Sequence, residues 1–442
     1  MGKDFKIIKL FLFLSVLLGV LNFLGVFTPE IGFDALWYHL SLPKLWLLKH
    51  QYYFPGGLLY YSVMPRLTEW IYTPLILFTG TVGPKLVQFI SGVGVAIITY
   101  KIAKQQGLDK KYSLLASCIY YLSFLVSWQS SSAYIDLFRS FLEVSALFLF
   151  LTGKSFWGSI LLGLSLGTKW LSFFSLAIFG LVFGLKILPI SLLTALPWFL
   201  VSFYYTGNPV FPLFDGILQN GFQSVGGMLG NLLTAPVLFI FPFDDFISPV
   251  TGLLFSLAAI SLIFANKTNK KIIYIGILGG LSTLILDPPS ARFFLPFYPA
   301  VIISALILVQ NLPQSLQKTF IYLLFLSSVI VVALRINTFR KNIDFLLGKQ
   351  TTNQYLTNLF KRLPDTFIDT DDFVKNNLQG QKIIIDKLHN LYYFPYSFDH
   401  TSWASDTRGY NYLITTNQDP KQVNGTLIHT NGVGIQVFKL NQ

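Results

Sequence analysis

The chain has few of the residues from which soluble proteins build metal sites and disulfide frameworks. Its 442 residues include one cysteine and five histidines, and only 12% of the residues are charged. The single Cys118 excludes an internal disulfide, and the scattered histidines have no zinc-ligand spacing. A basic soluble face with interleaved aromatic residues is also missing, so we expect no nucleic-acid partner.

Apolar residues dominate instead. They make up 53% of the chain. The charged residues, at 12%, are roughly half as frequent as in a soluble protein, where they make up about 25%. The composition predicts a multi-pass protein of the cell membrane, with an all-α fold and long outer loops. Hydropathy predicts about 11 transmembrane helices, near 6–26, 84–101, 112–129, 137–152, 155–168, 171–186, 187–203, 250–265, 272–286, 294–310 and 319–335.

Lysine positions predict the topology. Cytoplasmic loops collect Lys and Arg. When the predicted spans are counted, the lysine clusters all fall in connections on the same side of the membrane, whereas residues 187–266 contain no Lys or Arg. We therefore place the N-terminus in the cytoplasm and two long loops, about 27–83 and 204–249, outside. The basic start is interpreted as a retained span, since it lacks a signal-peptide cleavage site. The short apolar segment 69–80 is placed on the outer surface, along the interface or re-entrant.

The character of the sequence changes after Arg335. We expect a transmembrane catalytic domain at 1–335 and a soluble extracytoplasmic domain at 336–442, a small α/β or α+β unit. Its predicted elements are a helix at 365–378 and strands at 382–386, 412–416 and 434–440. The aromatic stretch 389–403 is expected to pack onto the membrane domain, with contact to a sugar as the alternative.

Acidic residues are scarce before residue 336, and most of them fall on one predicted side. With Asp4 and Asp109 assigned to the cytoplasm and Glu143 to a span, the others lie at or near the outer surface: Glu30, Asp34, Glu69, Asp136, Asp215, Asp244, Asp245 and Asp287. Ionisable groups at a lipid boundary are costly unless they are paired or face water. Their distribution predicts a polar cavity that opens outward.

Asp136, Arg139 and Glu143 share one face of a predicted helix because they are spaced by three and four residues. Arg139 and Glu143 could either neutralise each other's charge as structural residues or take part in function, and both interpretations stay open. For Asp136, the three preceding serines favour a functional role. Lys169 and Arg292 lie near the outer ends of their spans, where two cations would suit a phosphate. The alternative for Lys169 is a snorkelling side chain.

Six segments occur in an order and spacing that resemble the GT-C superfamily of polytopic glycosyltransferases. The chain is similar to the branch with protein O-mannosyltransferases and lipid A aminoarabinose transferase. The resemblance covers most of the sequence and rests on FDALWYHLSLPKLW, YSVMPRLTEWIYT, AYIDLF, GLSLGTKW, LPWFLVSFYYTGNPVFP and ARFFLPFYP.

The resemblance implies transfer of a hexose or pentose from a polyprenyl-phosphate carrier to a lipid, glycan or protein acceptor outside the cell, with inversion. Asp34 then matches the first-loop acid, although Ala35 stands where protein O-mannosyltransferases have a second acid; Glu69 is the candidate for that carboxylate. Asp136 matches the second-loop acid. Basic residues near the carrier phosphate correspond to Lys169 and Arg292.

Three further expectations concern the first loop and its ligands. Tyr38 and His39 are candidates for substrate contact, and His39 alternatively pairs with an acid or caps a helix. Asp34 with Asp136 or Glu69 are the candidate ligands of a divalent cation that would bridge them to the phosphate. No other cofactor is expected.

A transporter or a flippase of lipid-linked sugars is the main alternative. Intramembrane charges at Arg139 and Glu143 would also suit a conduction path. Such proteins tend to contain internal repeats, and none is found in this sequence. The long outer loops with acids favour an enzyme.

Overall fold

The computed structural model describes residues 2–215, 225–238, 247–286, 290–404, 406 and 408–441. Within them the chain is mainly helical. The α-helices are α1 Gly2–Val26, α2 Ser41–Lys49, α3 Leu67–Thr79, α4 Val82–Gln105, α5 Lys110–Tyr121, α6 Phe124–Gln129, α7 Asp136–Leu151, α8 Ser155–Leu166, α9 Ser172–Phe183, α10 Leu188–Thr206, α11 Val225–Leu238, α12 Thr251–Ser261, α13 Lys267–Thr283, α14 Ala291–Phe294, α15 Tyr298–Gln310, α16 Gln314–Phe339, α17 Ile343–Leu346, α18 Thr352–Asn358 and α19 Phe373–Asn377.

Four helical segments among the described residues are long and apolar enough to cross a membrane: Lys6–Val26, Val82–Gln105, Leu185–Thr206 and Gln314–Leu346. Each predicted span overlaps a helix, but the predicted count of about 11 is not confirmed. The predicted span 112–129 is divided into α5 and α6, because Ser123 is extended and the next residue, Phe124, donates its N–H to the carbonyl of Ile247 at 2.7 Å. The prediction of a mainly helical membrane protein is confirmed.

The chain divides into two compact units. The first contains Met1–Val26, Leu86–Ser131 and Ile135–Arg340, and the second contains Phe27–Lys85, Ser132–Tyr134 and Lys341–Gln442. Each unit has its own apolar core. The predicted domains, 1–335 and 336–442, rest on the change in sequence character after Arg335, and that division stays a prediction. The predicted acids Asp244, Asp245 and Asp287 lie outside the described residues.

In the first unit, glycines allow α8 to approach its neighbours closely. A side chain at Gly163 would meet the carbonyl oxygen of Ser191 on α10 at 2.4 Å, and one at Gly167 would meet the indole of Trp198 at 2.3 Å. Only glycine permits this packing. The turn after α8, which carries Lys169, is thereby held against α10.

In the second unit, the first loop and the C-terminal segment share one core. The Lys44 ammonium donates hydrogen bonds to the carbonyl oxygens of Tyr392 at 2.7 Å and Phe394 at 2.8 Å. Lys49 forms an ion pair of 2.8 Å with Asp399. Within the stretch 389–403, Phe394 and Phe398 lie in this core, and Tyr392 is also buried.

The C-terminal segment contains a five-stranded mixed sheet. Its strands are β1 Ile383–Ile385, β2 Asp399–His400, β3 Tyr412–Thr416, β4 Gly425–Thr430 and β5 Ile435–Leu440. Their order is β2-β1-β3-β5-β4, with β1 parallel to β2 and β3, and β5 antiparallel to β3 and β4. The three predicted strands are confirmed, whereas β2 and β4 were not predicted.

The predicted helix at 365–378 is wrong over most of its length. Only Phe373–Asn377 is helical, and Asp372 before it has a left-handed backbone with φ of 56°. The carboxylate of Asp369 accepts the N–H groups of Val374 at 3.2 Å and Lys375 at 2.9 Å. Acidic side chains that bind nearby backbone compete with a continuous helix, which explains the break.

Candidate active site

Asp34 stands at the start of a single π-helical turn, Ala35–His39, in the second unit. The turn is closed by the N–H of Leu40, which donates to the carbonyl of Ala35 at 2.9 Å, a bond across five residues. Such turns are frequent at functional sites. Asp34 remains half-buried, whereas Tyr38 and His39 are buried, so the turn leaves one carboxylate accessible beside two enclosed rings.

His39 and Glu69 form a buried pair. His39 Nδ1 lies 2.6 Å from Glu69 Oε1, and both side chains are at most 1% exposed. A carboxylate accepts only, so Nδ1 carries the proton. Burial lowers the pKa of His39, which keeps the ring neutral. His39 Nε2 then bears a lone pair, and it has no hydrogen-bond partner within the described part of the chain.

Arg66 completes this group, and it was not singled out from the sequence. Its Nη1 lies 2.6 Å from Glu69 Oε1, its Nε donates to the carbonyl of Tyr61 at 2.6 Å, and its guanidinium is 5.3 Å from the ring centre of Tyr38. Burial acts to raise the pKa of Glu69, but Arg66 and the hydrogen bond from His39 hold it below its ordinary value. The three-residue spacing of Arg66 and Glu69 could have indicated the pair.

The rings around this group are closely packed. Tyr38 stacks on Tyr61 with ring centres 4.3 Å apart, and the His39 ring lies 4.2 Å from Tyr38. Aromatic packing of this kind fixes ring orientation. The site therefore holds His39 in one orientation before any ligand arrives.

Glu30 has a structural environment. Its carboxylate accepts the N–H groups of Gly32 at 2.7 Å and Ala133 at 2.6 Å, and the hydroxyl of Ser132 at 2.9 Å. These bonds satisfy a buried charge. They attach residues 132–134 to the first loop within the second unit.

In the first unit, Asp136 pairs with Lys169. The distance from Lys169 Nζ to Asp136 Oδ1 is 2.9 Å, and Gln129 donates to the other carboxylate oxygen at 3.3 Å. Asp136 is fully buried, whereas the Lys169 side chain is 19% exposed. The carboxylate thus anchors an ammonium that still reaches accessible surface.

Arg139 and Glu143 lie one turn further along α7. Arg139 Nε is 3.3 Å from Glu143 Oε1, and Arg139 Nη2 donates to the carbonyl of Phe293 at 3.0 Å. Glu143 also accepts hydrogen bonds from Ser172 and Ser175. The predicted helix face is present. The hydrogen bonds and the ion pair of Glu143 are sufficient to explain its presence by a structural role.

Arg292 belongs to the same cluster. It is half-buried in the first unit, and its charge acts on the Asp136 carboxylate together with those of Lys169 and Arg139. Among the described residues, these three cations neighbour two carboxylates, Asp136 and Glu143. Such a cluster can accept an anion.

The predicted site residues fall into both units. Asp34, Tyr38, His39 and Glu69 belong to the second unit, whereas Asp136, Lys169 and Arg292 belong to the first. Each unit brings its own members together. No cluster of three or more His, Cys, Asp or Glu side chains suited to a metal is found among the described residues. A cation shared by Asp34 and Asp136 stays a prediction.

Two crystal structures share this fold over nearly the whole chain. They are ArnT from Cupriavidus metallidurans in the apo state, with a TM-score of 0.65, and the same protein bound to undecaprenyl phosphate, with a TM-score of 0.64. In both, identity is 12%, and the match covers 97% of this chain and 97% of the other.

No protein-family model and no curated protein matches the sequence. The structural likeness therefore establishes the fold, that of a polytopic membrane protein. The predicted resemblance is confirmed at the level of the fold, which this chain shares with ArnT.

Proposed function

We propose that this protein is a membrane glycosyltransferase that moves a sugar from a polyprenyl-phosphate carrier to an acceptor outside the cell. The observation that carries the proposal is the fold, which is similar over 97% of the chain to an ArnT structure bound to undecaprenyl phosphate. The outward direction comes from the lysine distribution. The transferred sugar is a hexose or a pentose, and the acceptor is a lipid, a glycan or a protein.

The first unit is assigned the carrier phosphate. Lys169 and Arg292 belong to a cluster of three cations, and both have accessible surface. Asp136 positions the Lys169 ammonium through their 2.9 Å contact. Cations placed where negative charge develops stabilise the departing phosphate.

The second unit is assigned the proton transfer. Asp34 accepts the proton of the acceptor hydroxyl while the hydroxyl oxygen forms a bond to the anomeric carbon. The bond from that carbon to the phosphate oxygen breaks, and its electron pair leaves with the carrier phosphate. Direct displacement of this kind inverts the anomeric centre, and a positioned base contributes about 10²–10⁴-fold.

Glu69 and His39 support this step from within the protein. Glu69 fixes the proton of His39 on Nδ1, which leaves the lone pair of Nε2 for a hydroxyl. Tyr38 contributes a ring that packs on His39 and Arg66. A divalent cation beside the phosphate would assist Lys169 and Arg292 in stabilising its charge.

The test replaces Asp34 with Asn. Membrane vesicles that contain the chain are supplied with the polyprenyl-linked sugar that accumulates in a deletion strain, and transfer is measured per folded molecule. We expect Asp34→Asn to lose at least about 100-fold in turnover while it still binds tritiated undecaprenyl phosphate.

Asp344→Asn is the matched control, because Asp344 is an exposed acid whose side chain is 57% accessible. Its turnover should equal that of the parent. Turnover of Asp34→Asn within a few-fold of the parent would remove Asp34 from the reaction. An unmodified chain that binds no carrier and transfers no sugar would overturn the proposed function.

A further inference from the structure

A groove in the second unit lies outside the cluster of His39, Glu69 and Arg66. It has a volume of about 410 Å³ and is formed by the end of α2, the residues after it, and one face of α3. Its lining includes Trp46, His50, Gln51, Tyr52, Trp70 and Thr73. We call it the Trp46 groove. Pockets of about 300–1,000 Å³ hold small ligands.

The chain builds this groove from two adjacent helices. α2 ends at Lys49, and His50 after it has a left-handed backbone with φ of 52°, which turns the chain toward Tyr52. On α3, Trp70 and Thr73 are three residues apart and therefore lie on one face. The Tyr52 hydroxyl donates to the carbonyl of Ser62 at 2.5 Å, which fixes its ring.

Three aromatic rings follow one another along the groove. The ring centres of Trp46 and Tyr52 are 4.7 Å apart with a tilt of 45°, and those of Tyr52 and Trp70 are 5.9 Å apart with a tilt of 59°. Trp70 is also 50% exposed, so it offers a large flat surface to a ligand.

The groove also contains polar groups that suit a hydroxylated ligand. The indole Nε1 of Trp46 is a buried donor with no hydrogen-bond partner in the part of the chain that the structure describes. Trp46 itself is only 6% exposed. His50 and Gln51 are exposed at the rim, where an imidazole and an amide can each donate and accept.

We propose that the Trp46 groove binds a neutral pyranose ring. The flat C–H face of the sugar packs on Trp70 and Tyr52, and a sugar hydroxyl accepts the hydrogen bond of Trp46 Nε1. The lining contains no Asp, Glu, Lys or Arg among the described residues, so the groove has no partner for a phosphate or a uronate.

A lipid acyl chain is the other ligand class that an apolar groove can hold. Of the lining residues, only Leu47 and Pro74 have aliphatic side chains. An acyl chain would also leave the Trp46 donor unpaired, which buried polar groups avoid. The aromatic and polar lining therefore favours the sugar.

That the sugar belongs to the acceptor is a second step, and it rests on the proposed function. Binding of a sugar in the groove does not need transferase activity. A chain that binds saccharide but transfers nothing would keep the groove and lose the proposed function. A chain that transfers sugar but binds no saccharide would keep the proposed function and contradict the proposal for the groove.

The experiment uses the full chain in lipid nanodiscs and saturation-transfer NMR with three probes: maltose, cellobiose and diacetylchitobiose. We expect transfer to the ring C–H protons of at least one probe. Trp70→Ala should weaken that binding at least tenfold, and Trp46→Phe, which keeps a ring but removes the donor, should weaken it several-fold.

Trp157→Ala is the matched control, because Trp157 is an exposed tryptophan on α8, 60% accessible, that does not line the groove. Its saccharide binding should equal that of the parent. The inference is overturned if none of the three probes receives saturation, or if Trp70→Ala binds as the parent does. It is also overturned if a spin-labelled stearate, and no saccharide, loses binding in Trp70→Ala.

Discussion

The Lys169 ammonium lies 2.9 Å from the carboxylate of Asp136, although 33 residues separate them in the chain. Asp136 opens α7, and Lys169 lies in the turn after α8, so the pair joins the two ends of a helical hairpin. The buried acid holds the cation, and the cation keeps 19% of its surface accessible. An ammonium held in this way is suited to an anionic ligand.

The first prediction concerns this cation and Arg292. A charge-assisted hydrogen bond contributes about 1.5–3 kcal/mol, so Lys169→Gln or Arg292→Gln should lower kcat/KM and carrier affinity by about ten- to a hundredfold. Arg292→Lys should not restore full activity, since an ammonium lacks the two-pronged guanidinium contact. Binding of tritiated undecaprenyl phosphate and turnover per folded molecule provide the measurement.

Lys154→Gln serves as its control, because Lys154 is an exposed lysine just before α8. Normal affinity and normal turnover in both Gln variants would refute the phosphate role. Loss of folded protein with unchanged turnover in the remainder would instead identify both cations as anchors of helix ends.

A second prediction separates the two nitrogens of His39. In His39→Asn, the amide N–H takes the place of Nδ1–H and can still donate to Glu69, whereas nothing replaces Nε2. We expect this variant to fold with nearly the stability of the parent but to lose at least about tenfold in turnover. His39→Ala should lose stability as well, because Glu69 then loses a buried donor.

Thermal unfolding and turnover are measured on the same preparations of both variants. Parent-like turnover of a stable His39→Asn would show that Nε2 takes no part. His429→Asn is the control for turnover, since His429 lies on β4, outside both the His39 cluster and the Trp46 groove.

The third prediction concerns the Arg66–Glu69 ion pair, whose atoms are 2.6 Å apart in a buried setting. Removing one member leaves the other charge unpaired, so Arg66→Met and Glu69→Gln should each destabilise the protein by about 3–5 kcal/mol. The double variant should lose less free energy of unfolding than the sum of the losses in the two single variants. A double-mutant cycle from thermal unfolding gives the coupling, and additive effects would contradict it.

The fourth prediction is a pH dependence in the C-terminal segment. Burial lowers the pKa of His400 to about 4. Its Nδ1 accepts a hydrogen bond from the N–H of Ser402 at 3.0 Å. Protonation of Nδ1 would place its new N–H against the N–H of Ser402, and two donors cannot bond to each other. An unfolded histidine has a pKa of about 6.5 and binds its proton first as the pH falls.

Stability from His400 is therefore complete above about pH 6.5 and falls as the pH drops toward about 4, by up to about 3 kcal/mol. Hydrogen exchange of residues 383–440, corrected for its intrinsic pH dependence, should show opening at pH 5. His400→Gln should flatten this response, whereas His389→Gln, at an exposed position, should keep it. An equal response in parent and His400→Gln would contradict the assignment.

The fifth prediction is topological. A reporter that is active only outside the cytoplasm should work when fused after Gln442, and one that is active only inside should work at Lys110. The lysine clusters and the basic-free residues 187–266 are the reason. Reversed signals would place the proposed reaction on the cytoplasmic side.

Part of the site could be read from the sequence because local spacing carries it. The i, i+3 and i, i+4 pattern of Asp136, Arg139 and Glu143 places them on one helix face, and the structure has that face. Arg66 and Glu69 have the same spacing, yet the arginine was missed, because a single basic residue in a loop has many ordinary roles. The His39–Glu69 contact spans 30 residues and depends on how the first loop folds back.

The sequence by itself determined the membrane class, the positions of the apolar helices and three of the five strands, since composition and periodicity reflect transfer of side chains out of water. It did not determine which distant residues meet. Tertiary structure decided that Asp136 holds Lys169, that His39 presents Nε2, and that Trp46, Tyr52 and Trp70 form one groove. Those contacts arise from the packing of segments far apart in the chain, and a local pattern contains no information about which partner a buried group will find.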